Sequence, residues 1–264
     1  MAPTGSLTVP RKCGPVASSV GSDRAWSGIA DVRLTRHVVD TLGGRYSTEL
    51  GIDVDAGEAE IERWFLAATL FGTRISATVA ERTFRVLDRA GLVRIARAGD
   101  VPWDDLVAYL DRGGYTRYDF RTATRLHALS EVIGRRYRGQ IAMVGRSCIT
   151  YPELRDALGL LPGWGPVTVQ LFLREMRGVW PGADPPLDQR AGLGARHLDL
   201  FRPGSAHPSL SRLVQLAAEC RLDIRDLESG LVRLVLAHHG RTGSCPGGQT
   251  CVVLAPDGPR KELR

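Results

Sequence analysis

Lysine is almost missing from this sequence. Lys12 and Lys261 are the only two lysines among 35 basic residues, so arginine carries nearly all of the positive charge. A guanidinium stays protonated at physiological pH and does not act as an amine nucleophile. The long stretch between these two positions therefore lacks the primary side-chain amine that Schiff-base chemistry requires.

Long apolar runs are also missing. No segment approaches the roughly 18 apolar residues that a membrane-spanning helix needs. Residues 1–27 are small, polar and rich in glycine, proline and serine, with no apolar core of signal-peptide length. The five cysteines form an odd number and are widely spaced, which is not typical of a secreted disulfide framework. We expect a disordered leader over residues 1–27 and a cytoplasmic protein.

The remaining composition is that of a basic globular protein. The chain has 264 residues, of which 43% are hydrophobic, and this is enough for one large domain or two small ones. Its formal charge is +6 and its pI is about 9.4. An excess of positive charge favours a polyanionic partner such as nucleic acid.

The hydrophobic pattern is helical. Apolar residues at 59–71 fall at i, i+3, i+4 and i+7, which is typical of one buried helix face. Ser76 and Pro102 are suited to begin helices, and Gly91 and Gly114 are suited to end them. The sequence therefore predicts an all-α protein of many short helices.

The stretch "LPGWGPVT" (161–168) predicts a tight elbow between two helices. Gly163 and Gly165 allow a sharp turn and the close approach of a large ligand. Pro166 suits the first turn of the following helix, where its missing N–H has no consequence. The free N–H groups of the turn and of the helix N-terminus form an anion site, and phosphate is its usual ligand.

This elbow resembles the hairpin of the helix-hairpin-helix (HhH-GPD) base-excision DNA glycosylases, the group that includes endonuclease III and 3-methyladenine glycosylase II. Upstream, "LAATLFGTRISATVAERTF" (66–84) resembles the helix–loop–helix that approaches DNA in this family. "GGYTRYDFRTATRLHAL" (113–129) resembles the helix start that precedes the hairpin. Together the three features cover about residues 45–200, and their order is more specific than the hairpin alone.

The resemblance implies a two-lobed all-α fold with the active-site cleft between the lobes. Residues 60–174 would form a helical barrel lobe that ends in the helix-hairpin-helix. Residues 28–59 together with 175–264 would form the second helical lobe. The implied partner is double-stranded DNA with one base flipped out, bound by a nucleoid-associated monomer.

The resemblance also implies a catalytic aspartate at the start of the helix after the hairpin. Such a carboxylate stabilises the positive charge of the sugar and orients or deprotonates a water molecule. Asp188 in "PLDQRAGL" and Asp184 in "ADPP" both fit, because the spacing usual in the family falls between them. The local pattern favours Asp188.

Bifunctional members of the family carry a lysine just after the hairpin glycines, where this sequence has Val167. A valine cannot form an imine with the sugar. The resemblance therefore implies a monofunctional DNA glycosylase of base-excision repair without AP-lyase activity. The alternative is a catalytically inactive helix-hairpin-helix DNA-binding protein.

The same resemblance implies further contacts with DNA. For the aromatic residues the alternative to such a contact is ordinary packing in the core, and for the arginine it is ordinary exposure on the surface. The hairpin and a neighbouring loop would contact DNA, and two tyrosines would face the flipped base. The hairpin residues are Gly163, Trp164, Gly165, Val167 and Thr168, the loop residues are Thr73 and Arg74, and the tyrosines are Tyr115 and Tyr118.

Endonuclease III and some relatives hold a [4Fe–4S] cluster with four cysteines near the C-terminus. Here Cys245 and Cys251 reproduce only the last of these spacings, and Val235 and Thr242 occupy the other two ligand positions. Because the cluster needs four thiolates, we expect no iron–sulfur cofactor. A Cys/His metal site that includes one nearby histidine is the lesser alternative, and metal-free cysteines in a loop are favoured.

Overall fold

The computed structural model describes residues 28–200, 209–239 and 242–255, with side chains from residue 32 onward. All regular secondary structure in these ranges is helical, which confirms the all-α prediction. The predicted leader lies outside the described residues. The α-helices are α1 (Gly28–Leu42), α2 (Tyr46–Glu49), α3 (Glu58–Phe71), α4 (Ala77–Arg89), α5 (Ile95–Ala98), α6 (Trp103–Gly113), α7 (Asp119–Tyr137), α8 (Ala142–Ser147), α9 (Tyr151–Gly159), α10 (Pro166–Glu175), α11 (Gln189–His197), α12 (Leu210–Glu219) and α13 (Ile224–Ala237).

The helix boundaries follow the local sequence signals. The Ser76 hydroxyl accepts the Val79 N–H at 3.3 Å and caps α4, as predicted. Helix α6 begins directly after Pro102 and ends at Gly114, which adopts a left-handed φ of +90°. Gly91, after α4, also has a positive φ of +72°. None of the described helices is long and apolar enough to cross a membrane.

The buried apolar side chains form two separate clusters. The first extends from α2 to the segment after α10 and contains a set of ring contacts among Phe65, Trp164, Phe172 and Trp180. The second gathers α11, α12 and α13, with Val38 of α1 and part of the C-terminal segment. The described part of the chain therefore buries its apolar side chains in two places.

The first cluster takes in more of the chain than the expected lobe of residues 60–174. Tyr46 and Val54, which the sequence interpretation placed in the second lobe, are buried in the first cluster. Tyr46 packs against Phe71, with ring centroids 5.1 Å apart. Trp180 also belongs to the first cluster. These aromatic side chains bury their surface against α3 and α10, so the first cluster extends beyond residues 60–174 on both sides.

Ion pairs join α13 to the segment that precedes α3. Arg225 contacts Asp55 at 2.8 Å and Asp223 at 2.7 Å. Hydrogen bonding from Arg225 lowers the pKa of Asp55. Arg45 contacts Asp226 at 3.1 Å. These charge-assisted contacts fix the helices of the second cluster against the chain that enters the first.

Helix α11 lies directly on α13. Gly194 of α11 packs against the backbone of α13, where a Cβ atom would lie 2.7 Å from the Leu231 carbonyl oxygen. A backbone atom cannot move aside, so only glycine permits this spacing. The contact fixes α11, and with it the start of that helix at Asp188.

Candidate active site

The predicted elbow is present between α9 and α10. Gly163 has a left-handed φ of +76°, and a Cβ atom there would overlap the side chain of Arg125. Gly165 is extended and precedes α10, whose first residue is Pro166, as the sequence indicates. The turn is therefore held by local sequence on one side and by Arg125 of α7 on the other.

The outer side of this turn offers unpaired backbone donors. Among the described residues, the N–H groups of Gly163 and Gly165 donate to no other protein atom. The N-terminus of α10 has no side-chain cap. Val167, in the first turn of α10, is 61% exposed. Free N–H groups at an exposed helix N-terminus attract an anion such as a phosphate.

Two of the predicted contact residues, Trp164 and Thr168, lie in the core instead of on the surface. Trp164 is buried, stacks on Phe65 at 4.4 Å, and donates its indole N–H to the Thr69 hydroxyl at 3.1 Å. Thr168 is buried against Gly72. Burial of these side chains lets the hairpin rest on α3, so the prediction that Trp164 and Thr168 contact DNA through their side chains is wrong.

The predicted base-pocket tyrosines have different environments. Tyr115 is fully buried and donates its hydroxyl to the Leu70 carbonyl oxygen at 2.9 Å. Its burial raises the pKa of its hydroxyl. It fills the first core, so it cannot stack on a base, and this prediction is corrected. Tyr118 is half-buried at the start of α7.

The loop between α3 and α4 meets the hairpin through Arg125. Thr73 accepts a hydrogen bond from the Arg125 guanidinium at 2.9 Å, and Thr122 accepts another at 3.2 Å. Burial lowers the pKa of Arg125. Arg74, the next residue of the loop, is exposed. Thr73 and Gly163 thus both contact Arg125, a residue that the sequence analysis did not identify.

Asp188 is a half-buried carboxylate at the start of α11. One oxygen accepts the Arg190 N–H at 2.7 Å and so caps the helix. The other lies 3.7 Å from the Arg174 guanidinium. Its own N–H donates to Glu228 at 3.0 Å. The carboxylate is therefore oriented by two contacts, one of them with a buried cation.

Asp184 has a different setting. Its side chain is 78% exposed and forms an ion pair with Arg177. Arg177 also donates to the Pro185 carbonyl oxygen at 2.6 Å and to Glu228 at 3.3 Å. Asp184 begins no helix, because the segment up to α11 is irregular. Its carboxylate is largely solvated, whereas that of Asp188 is held in place.

Buried charges behind Asp188 were not expected from the sequence. Arg174 and Glu175 end α10, and both are buried. Glu175 accepts the backbone N–H groups of Tyr46 and Ser47 at 2.9 and 3.0 Å, at the start of α2. Burial raises the pKa of Glu175, and the nearby Arg174 opposes that rise. Among the described residues, the Nε and Nη2 atoms of Arg174 have no hydrogen-bond partner, and its ion pair with Asp188 is made by Nη1.

A cavity of about 290 Å³ opens beside α2 and α4. This volume lies just below the range of about 300–1,000 Å³ that is usual for small-molecule sites. The Arg233 guanidinium lies over the Tyr46 ring at 3.8 Å and contacts Glu49 at 2.9 Å. Because Glu175 holds Tyr46, this wall is linked to Arg174 and Asp188. The lining residues are Tyr46, Glu49, Leu50, Phe71, Ala77, Thr78, Glu81 and Arg233.

Replacing Gly163 by Ala is expected to destabilise the protein by about 1–3 kcal/mol, since the positive φ and the overlap with Arg125 both oppose a side chain. Gly159→Ala in α9 is the matched control, because a Cβ atom there meets nothing within 4 Å. We expect the control to be neutral or stabilising by up to about 1 kcal/mol. Urea denaturation measures both, and equal midpoints would contradict the role assigned to Gly163.

The C-terminal cysteines lie away from the hairpin, against the ends of α11 and α13. Cys245 and Cys251 are grouped with His197 and His238, and the four ligand atoms all lie within 4.8 Å of one another. Burial alone would raise the pKa of Cys245, but hydrogen bonds from Gly247 and Val252 contribute to lowering it to about 7. The sequence analysis left a site of the two cysteines and one histidine as the lesser alternative, and the structure groups two histidines with the cysteines.

Comparison with known proteins gives no family for this chain. No family model matches it, and no curated protein shows significant sequence similarity to it. The functional assignment therefore depends on the geometry of the hairpin, Asp188 and the cavity.

Proposed function

We propose that this protein is a monofunctional DNA glycosylase that removes a damaged or mismatched base by aspartate-assisted attack of water. One observation carries the proposal: Asp188 pairs with Arg174, which shares a face of α10 with Val167 at the exposed hairpin. Seven residues span about 10 Å along a helix. A phosphate at the hairpin and a sugar beside Asp188 would then be neighbours on one DNA strand.

The irregular segment before α11 keeps Asp188 on this side of α10. Gln170, one turn after Val167, donates its side-chain N–H to the Pro186 carbonyl oxygen at 2.9 Å. Pro186 lies two residues before Asp188. The hairpin, α10 and the carboxylate therefore form one connected surface, although Asp188 and Val167 are 21 residues apart in the chain.

The proposed chemistry uses water as the nucleophile. The base leaves with the electron pair of the C1′–N bond, and the sugar becomes an oxocarbenium-like cation that the Asp188 carboxylate stabilises. Water adds to C1′ and gives a proton to Asp188, which leaves an abasic site. Arg174 keeps the carboxylate oriented, and the cavity beside Tyr46 is our candidate for the space that receives the flipped base.

Binding without catalysis is the second candidate function. It is favoured by one observation, which is that both oxygens of Asp188 already have partners in Arg190 and Arg174. In that case the hairpin would bind DNA phosphates without regard to sequence, and the affinity would fall steeply with salt.

A panel of duplexes, each with one lesion, separates the two functions. After incubation with the protein, each sample is divided between alkali and no treatment. We expect one or more lesions to give strand breaks after alkali only, because a monofunctional glycosylase leaves an intact abasic strand. Salt-sensitive binding with no lesion excised would favour the binding protein. Breaks without alkali would contradict monofunctional excision.

A further inference from the structure

Four potential metal ligands converge from three parts of the chain. His197 ends α11, His238 directly follows α13, and Cys245 and Cys251 lie in the C-terminal segment. The Cys251 sulfur lies 3.5 Å from the His238 Nε2 atom. The two imidazole rings are 4.7 Å apart and meet edge to face.

These distances fit a single tetrahedral ion. With Zn–S bonds of about 2.3 Å and Zn–N bonds of about 2.0–2.1 Å, sulfur and nitrogen ligands of one zinc ion lie about 3.5 Å apart. The measured separation of Cys251 and His238 has this value. All four ligand atoms lie within 4.8 Å of one another, so rotations of the side chains would bring them around one ion.

The histidines are prepared to bind a metal. His238 Nδ1 lies 2.7 Å from the Leu234 carbonyl oxygen, so this nitrogen must carry the proton and Nε2 is left with its lone pair. His197 Nε2 is buried, and among the described residues it has no hydrogen-bond partner. A buried unpartnered nitrogen is costly unless something binds it, and a metal ion would satisfy it.

The turn that follows Cys245 also has a conformation that suits metal binding. The Val252 N–H points at the Cys245 sulfur at 3.4 Å. Gly247 has a positive φ of +73°, and a Cβ atom there would overlap the carbonyl oxygen of His197. The turn after Cys245 therefore lies directly on the end of α11 and can be formed only with glycine at this point.

We propose that His197, His238, Cys245 and Cys251 bind one zinc ion. A [4Fe–4S] cluster would need four thiolates, whereas two thiolates and two imidazoles in tetrahedral array are typical of a structural zinc site. The ion fastens the C-terminal segment to the ends of α11 and α13. Because Asp188 caps the N-terminus of α11, the ion holds the helix that presents the candidate catalytic carboxylate.

Metal content of the full-length protein tests this site independently of any DNA activity. The purified reduced chain is stripped with a chelator and titrated with Zn²⁺ or Co²⁺ alone. We expect one equivalent of zinc, a tetrahedral Co²⁺ spectrum with thiolate charge transfer, and a higher Tm with metal than without. Cys245→Ser and Cys251→Ser are expected to weaken zinc binding at least about 100-fold.

Two control variants leave the ligand set intact. Cys148→Ser removes a half-buried thiol that packs against the first cluster, and His239→Asn removes the exposed imidazole next to His238. Both are expected to keep one equivalent of zinc. If the serine variants fail to fold, His197→Cys tests whether residue 197 is a metal ligand. A third thiolate should retain the ion and shift the Co²⁺ spectrum.

The proposal is overturned by any of four results. The first is that the protein contains no zinc as purified and binds none after stripping, and the second is that the Cys245→Ser and Cys251→Ser variants bind zinc as tightly as the native chain. The third is a Cys245–Cys251 disulfide in freshly purified protein, and the fourth is iron with acid-labile sulfide. A failure of the lesion panel would leave this result unchanged, since zinc content and excision are measured separately.

Discussion

The Asp188→Asn variant is expected to excise the base about 10²–10³-fold more slowly than the native protein, because it loses the charge that stabilises the sugar cation. The fold should persist, since asparagine is also a good helix cap and can still accept the Arg190 N–H. Affinity for undamaged DNA should be preserved, because the hairpin is unchanged. Single-turnover excision of the lesion found in the panel measures the first quantity, and salt titration of binding measures the second.

Asp184→Asn is the matched control for this experiment. The same atoms change, but the side chain is largely solvated and pairs with Arg177 instead of Arg174. We expect an excision rate within about twofold of the native value. Loss of excision in Asp184→Asn with retention in Asp188→Asn would transfer the catalytic role to Asp184. Full activity in both variants would remove the aspartate from the mechanism.

The helices and the hairpin could be predicted because their signals are local. Ser76, Pro102, Gly163 and Pro166 act on the backbone within a few residues of themselves, through hydrogen bonds and fixed dihedral angles. Such effects do not depend on which other helices surround them. The elbow therefore has the predicted conformation, with Gly163 at a positive φ and Pro166 at the start of α10.

The direction in which the side chains point could not be predicted in the same way. Trp164 and Thr168 lie in the same short motif as the exposed Val167, but α3 packs against one side of that motif and buries them. Tyr115 is buried by the same helix, through its bond to Leu70. Which side of a turn is covered depends on tertiary packing, and a single sequence does not contain that information in readable form.

The charged residues of the site were hidden for a related reason. Arg174 is buried and Arg125 is half-buried, and charged residues are rarely buried unless they have partners. Their partners are distant in the chain, as Thr73 is from Arg125 and Asp188 is from Arg174. Spacing does not indicate such pairs, so only the folded structure identifies them.

Introducing a lysine at the hairpin is expected to change the chemistry from hydrolysis to covalent trapping. In Val167→Lys the new amine would lie one helical turn before Gln170, whose side chain contacts the segment that leads to Asp188. Its nitrogen would bond to C1′ as the base leaves, and ring opening would give an imine that borohydride reduces to a stable amine. We expect at least about tenfold more trapped protein–DNA adduct than with the native chain. Gel electrophoresis under denaturing conditions measures it.

Val167→Arg distinguishes an amine from a mere positive charge at this position. Val167 is exposed, so both side chains can be accommodated without disturbing the core. Arginine should increase DNA affinity and its salt dependence as lysine does, because each adds one phosphate-binding charge. It should give no adduct, since a guanidinium forms no imine under these conditions.

Trapping by lysine should also increase as the pH approaches the ordinary lysine pKa of about 10.4, where more of the amine is unprotonated. An adduct in the arginine variant or in the native chain would show that another nucleophile attacks the sugar. If Val167→Lys still binds and excises the substrate but forms no adduct, the hairpin lies too far from the reacting carbon.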